Sequence, residues 1–169
     1  MTSVATVLGI KLREKREELK LSQATVAKTL DMTNAGWGKL EKGINALSVD
    51  KLISVCELFE IKPSTLMKEV ESEIEELKKT GWDVSSRRIA EDDLLTGLMT
   101  YNNPLAMSLI ESYCIDAIYK GILSDADNTA ANLGVAISAP RARLIGIAAD
   151  VFQLTKQLKQ KGMDDYNEK

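Results

Sequence analysis

Leu8-Gly9-Ile10-Lys11-Leu12-Arg13-Glu14-Lys15-Arg16, then Leu21-Ser22-Gln23, then Leu30-Asp31-Met32-Thr33, then Leu40-Glu41-Lys42-Gly43, is the most informative stretch of the chain. Leu8, Leu12, Lys15/Arg16 and Leu19 recur at helical spacing with charged residues between them, which predicts an amphipathic helix from about 7 to 20. Ser22 is a good N-cap for a second helix through Leu30, whose apolar face is Val26, Ala27 and Leu30. Asp31 falls where a tight turn needs a residue tolerant of left-handed φ. Thr33 caps a third helix that runs to about Lys42 and stops at Gly43.

An amphipathic helix followed by two short helices around a tight turn is the helix-turn-helix layout, in which the second helix of the pair enters the major groove of DNA. Such a helix presents short polar side chains near its N-terminus. Thr33, Asn34, Ala35 and Gly36 form that turn, and Lys39 lies on the same face as Ala35, one turn on. Asn34 has the donor and acceptor to bridge adenine N6 and N7. Thr33 or Ala35 suits a thymine methyl, and Lys39 suits guanine or phosphate. Gln23, at the start of the second helix, is placed to bond a phosphate or reach a base. Lys42, Asn45 and the N–H groups of the loop 42–47 are candidates for phosphate contact. Val26, Trp37 and Leu40 are expected to face inward.

The order Leu-Arg-Glu-x-Arg, Leu-Ser-Gln, Leu-x-x-Thr and Leu-Glu-x-Gly resembles the Cro/C1 (Xre) family of phage-repressor-like helix-turn-helix domains, over about residues 7–69. The resemblance implies that Arg16 of the first helix pairs with Glu41 at the end of the third, and that Gln23, Asn34, Ala35 and Lys39 face DNA. Gly36 and Gly38 depart from the family pattern, because each costs a helix interior about 0.8–1 kcal/mol relative to Ala and offers no side chain to a base. Two readings fit them: close approach of the backbone to DNA with Trp37 as anchor, or a reading helix that has lost specificity.

A fourth helix is expected from Ser48 or Val49, with Leu52, Ile53, Cys56, Phe59 and Ile61 on one side. A fifth is expected after Lys62-Pro63, capped by Ser64 and carrying Leu66, Met67 and Val70. Val70, Ile74 and Leu77 form a thin stripe through 70–80, a charged stretch read as a connector. Thr80-Gly81-Trp82-Asp83 is a break, with Trp82 as a packing anchor. In the second half, Ser86 is a possible cap for a segment with Ile89, Leu94, Leu95, Leu98 and Met99. Asn103-Pro104 starts a helix to about Lys120, and 124–138 reads as a loop in which Val135-Ala136-Ile137 is the best strand candidate. A last helix follows Pro140. Leu144, Ile147, Val151, Leu154 and Leu158 hold heptad positions along it, either as an internal seam or as a dimerisation face.

The expected fold is therefore all-α: a five-helix repressor-like helix-turn-helix domain over 1–69, a connector over 70–85, and a helical dimerisation or regulatory domain over 86–169. Composition agrees with such a protein. Among 169 residues 44% are hydrophobic and 28% charged, as in ordinary globular chains. The net charge of −3 divides into +2 over residues 1–69 and −5 over 70–169, so the basic excess accompanies the motif. There is no histidine and there are two cysteines, Cys56 and Cys114, each in an apolar helical pattern; no zinc set, disulfide or cofactor is expected. Neither a signal peptide nor a membrane span is legible, which points to the cytoplasm.

The function expected is a sequence-specific transcriptional regulator, most simply a repressor bound to an inverted repeat of double-stranded DNA as a homodimer. A protein or small-molecule effector would act on the C-terminal domain. An antitoxin or accessory protein whose C-terminal half grips a protein partner is the alternative. An enzyme is not expected: Glu91-Asp92-Asp93, with Asp125 and Asp127, is the one acidic group that suggests a metal, and three consecutive carboxylates on a helix do not converge, so they read as a solvated face.

Overall fold

The computed structural model describes residues 1–105 and 151–156. Expectations for the helix through Lys120, the loop 124–138 with Val135-Ala136-Ile137, Cys114, Asp125, Asp127, and Leu144, Ile147 and Leu158 lie outside the described residues. The described elements are β1 (Thr2–Ser3), α1 (Val4–Glu18), α2 (Gln23–Thr29), α3 (Asn34–Glu41), α4 (Val49–Leu58), α5 (Pro63–Lys79), β2 (Val84–Ser85) and α6 (Asp93–Tyr101), and residues 151–156 are helical. Among the described residues the fold is all-α apart from one two-stranded pairing, in which β1 lies parallel to β2 with Thr2 opposite Val84 and Ser3 opposite Ser85.

Helix boundaries follow local chemistry. Ser3, Ser22, Thr33 and Ser48 each accept a hydrogen bond from the backbone three residues on, capping α1 to α4, each cap contributing about 1 kcal/mol. Helix α5 instead begins at Pro63, whose fixed φ starts the helix with Lys62 in the cap position and no side-chain cap bond. Ser64, expected as the cap, is inside the helix.

All five helices α1 to α5 end alike. The residue after each C-cap takes positive φ: Lys20 (55°), Asp31 (50°), Gly43 (66°), Glu60 (54°) and Gly81 (86°). The next amide reaches back to the third-last carbonyl of the helix, as in Leu21 N–H to Arg16 (3.0 Å), Met32 to Ala27 (2.8 Å) and Trp82 to Leu77 (2.9 Å). This double closure satisfies carbonyls that a helix end leaves without partners.

Two compact units result, Met1–Asp92 and Asp93–Lys169. In the first, Leu12, Val26, Ala27, Leu30, Trp37, Leu40, Val55, Cys56, Phe59 and Leu66 form one buried cluster. Trp37 meets Phe59 edge to face, ring centroids 6.4 Å apart, a geometry that adds about 0.5–1.5 kcal/mol beyond area burial. Burial raises the pKa of the Cys56 thiol, which keeps it protonated and unreactive. Ile53, expected on the inner face of α4, is exposed at 44%, because the i+3/i+4 stripe that reaches the core runs through Leu52, Val55 and Cys56.

The first unit takes in the stretch 70–85 that the sequence suggests as a connector. Val70 and Leu77 bury fully or nearly so, and Lys11 of α1 bridges Glu14 at 2.9 Å and Glu73 of α5 at 2.8 Å. Burial alone would lower the Lys11 pKa, but the hydrogen bonds and charges of Glu73 and Glu14 outweigh it and leave the ammonium raised. In the second unit α6 starts at Asp93, not near Ser86. Leu94 and Leu98 are buried and Met99 is exposed at 60%. Val151 and Leu154 are also buried. Asn103 accepts from the Leu105 amide at 3.1 Å, as a cap before Pro104 should. A cleft of about 390 Å³ in this unit is lined by Thr96, Gly97 and Thr100 of α6 with Phe152, Thr155 and Lys156. Among the described residues no helix is long and apolar enough to cross a membrane.

Candidate nucleic-acid interface

The α2–turn–α3 unit is held from behind by one carboxylate. Glu41, 3% exposed at the end of α3, accepts from Arg16 Nε of α1 at 2.5 Å and from Arg16 Nη2 at 3.1 Å. It also accepts from Gln23 Nε2 of α2 at 2.6 Å and Trp37 Nε1 of α3 at 2.5 Å. Arg16 adds a bond from Nη1 to the Leu21 carbonyl at 2.9 Å, tying α1 to the start of α2. Burial works against the Arg16 charge, but the Glu41 hydrogen bond and charge prevail and its pKa is raised. Two-pronged guanidinium–carboxylate geometry fixes direction as well as distance. Helix α3 is thereby set at one angle to both its neighbours.

Two glycines let α1 come close to the far end of α3. A methyl group on Gly9 would stand 2.4 Å from the Leu40 carbonyl oxygen and 2.8 Å from that of Glu41. Gly43, in the left-handed region, would bring a methyl within 2.6 Å of the Thr6 main chain. Gly43 was legible from its place after the helix. Gly9 was not, since its requirement comes from a helix more than thirty residues away.

On the outer side, Thr33, Asn34, Ala35 and Lys39 are exposed, and so are Lys42 and Asn45. The Thr33 hydroxyl accepts from the Gly36 amide at 3.0 Å, so its oxygen is engaged as a cap. Trp37 is fully buried, and Val26 and Leu40 face the core with it. Gly36 and Gly38 are half-buried rather than open. The nearest heavy atom to a methyl on Gly38 would be Gln23 Oε1, at 3.7 Å. Gln23 itself is half-buried and donates from its amide nitrogen to Glu41, which joins α2 to α3.

Of the loop amides expected to contact phosphate, those of residues 43–45 are engaged. Gly43 N–H bonds the Leu40 carbonyl at 2.9 Å, and Ile44 and Asn45 N–H both reach the Lys39 carbonyl, at 2.9 and 3.3 Å. The amides of 43–45 are thus not available to a phosphate, while the side chains of Lys42 and Asn45 are exposed. A side chain that the sequence did not single out lies here: Arg88 Nη1 donates to the Ile44 carbonyl at 2.8 Å.

The acidic group behaves differently from a solvated face. Asp92 is buried at 9% exposure and lies outside α6. Its Oδ2 accepts from the Thr6 hydroxyl at 2.6 Å and the Ser3 amide at 3.0 Å, and Oδ1 accepts from the Thr2 hydroxyl at 2.8 Å. A carboxylate at the N-terminus of α1 is favoured by the helix dipole as well as by these donors. Among the described residues no group of His, Cys, Asp or Glu could hold a metal ion.

Residues 12–66 match the family model described as helix-turn-helix, whose span covers α2, α3 and α4 with the C-terminal part of α1 and the first turn of α5. No curated protein and no solved structure matches the chain.

Proposed function

Because residues 12–66 form a helix-turn-helix domain of the Cro/C1 type, a DNA-binding and transcription-regulating class of domain, we propose that the chain is a sequence-specific transcriptional repressor acting in the cytoplasm. The observation that supports this reading best is the outer face of α3. Asn34, Ala35 and Lys39 are exposed together, while Glu41 and Trp37 on the opposite face are locked into the scaffold. A helix so held has the rigidity that base readout requires. Asn34 would bridge an adenine, Ala35 would touch a thymine methyl, and Lys39 and Lys42 would meet guanine or phosphate.

With Gly36 and Gly38 in its body, one reading helix offers few side chains to bases. That favours a homodimer on an inverted repeat, with half-sites about one helical turn apart. The second unit would supply the pairing through Leu144, Ile147 and Leu158. Val151 and Leu154 are already covered within the chain, so they would support that seam from inside. Its cleft has a volume in the range of small-ligand sites, which favours a small-molecule effector there.

Duplex selected from a random pool tests the assignment. Asn34→Ala and Lys39→Ala should each weaken binding by about 1–3 kcal/mol where a two-pronged base contact is lost. Wild-type affinity in both variants would reject the α3 face as the reader, and a monomer on the selected site by light scattering would reject the paired mode.

A further inference from the structure

The segment after β2 is pinned at both ends. Ser85 pairs with Ser3 across the strands, and its hydroxyl accepts from the Arg87 amide at 3.1 Å. Seven residues on, Asp92 is held by Thr2, Ser3 and Thr6. Thr6 is also the residue against which Gly43 packs. Between these anchors Arg87 and Arg88 are exposed. Arg88 reaches the Ile44 carbonyl, in the loop that leaves the reading helix between the exposed side chains of Lys42 and Asn45. A guanidinium has five N–H donors, and among the described residues one hydrogen bond from Arg88 is formed.

We propose that Arg88, with Arg87 beside it, is a phosphate-binding strap: a contact to the DNA backbone built from chain beyond the helix-turn-helix domain and laid against the outer loop of α3. The proposal rests on the DNA-binding reading of α3 and adds a second piece of surface to it. Two features of the loop ask for such a piece. Its amides at 43–45 close the helix end and cannot face a phosphate, and between Lys39 and Lys51 the one cationic side chain is Lys42. Arg suits the task because its planar fork keeps donors for phosphate while one nitrogen holds the Ile44 carbonyl. Being a backbone contact, the strap fixes register and adds affinity without reading sequence.

The experiment uses the full chain and a duplex selected by the wild type, with affinity measured between about 50 and 200 mM salt. Arg88→Gln retains a donor for the Ile44 carbonyl and removes the charge; Arg88→Lys retains the charge. One lost phosphate contact lowers the slope of log affinity against log salt by about 0.9, which is roughly eightfold in affinity near 0.1 M salt. The expected result is that loss in Arg88→Gln, a wild-type slope in Arg88→Lys, and unchanged base preference in both. A wild-type slope in Arg88→Gln overturns the strap. An equal slope loss in both variants, accompanied by a lower melting temperature, also overturns it and leaves Arg88 as a brace for the loop. A wild-type chain that enriches no duplex from the pool defeats the DNA reading itself, a failure separate from that of the strap.

Discussion

Glu41 gathers side chains from α1, α2 and its own helix onto one buried carboxylate, so its removal is felt by three elements at once. Glu41→Gln keeps the size of the side chain, but turns an acceptor towards Arg16, Gln23 and Trp37 into a group that is half donor. Breaking a buried ion pair by neutralising one partner costs about 3–5 kcal/mol, because the other charge stays buried without its counter-ion. The expected outcome is a fall in unfolding free energy of that order, seen as a lower urea midpoint with an unchanged slope. Gln23→Ala removes one donor and leaves the Arg16 pair, so its cost should be nearer 1–2 kcal/mol. The pair Arg16–Glu41 was available from a family resemblance; the Trp37 indole bond was not, because nothing in a sequence says that a core tryptophan turns its N–H towards a carboxylate four residues on.

Helix α3 is the element in which local propensity and position disagree most. Gly36 and Gly38 weaken an eight-residue helix, yet the two glycines are not equivalent. A methyl on Gly36 would press the Thr33 cap oxygen at 2.9 Å, whereas one on Gly38 would meet Gln23 Oε1 at an ordinary 3.7 Å. Gly38→Ala should therefore stabilise the first unit by about 0.5–1 kcal/mol, measured by thermal or urea unfolding. Destabilisation instead would mean that the α2–α3 packing is tighter than the present geometry. The same element shows what a sequence displays and what it hides. The caps Ser22 and Thr33, the left-handed Asp31 and the stop at Gly43 were legible, since each is settled by a few neighbouring residues. The left-handed Lys20 and Glu60 were not, because those side chains pay about 1–2 kcal/mol for a conformation that tertiary packing imposes. Ser64 misled as a cap because Pro63 had already started the helix.

At the scale of the first unit, the chain closes on itself where the sequence suggests separate pieces. Residues 2–6 and 84–92 meet through one short parallel pairing and one buried carboxylate, which joins the two ends of the unit. Neither half of this closure was visible beforehand. A two-residue strand leaves no alternation to detect, and Asp92 between two other acids looks like solvated charge until its donors, almost ninety residues earlier, are known. Thr2, Ser3 and Thr6 all donate to the carboxylate, and bonds to a charged group contribute about 1.5–3 kcal/mol each when broken singly. Asp92→Ala should destabilise the unit by roughly 2–4 kcal/mol. It should also release the stretch around Arg87 and Arg88, which trypsin cleaves once it can open. Thr6→Val removes one of the same bonds, so the double variant should cost less than the sum of the two. Limited trypsin digestion under native conditions checks the closure directly: faster cleavage at Arg87 and Arg88 in Asp92→Ala than in the wild type is expected. Equal rates would mean that β1 and β2 hold the strap without the carboxylate, and the two ends of the unit would then be joined by backbone pairing alone.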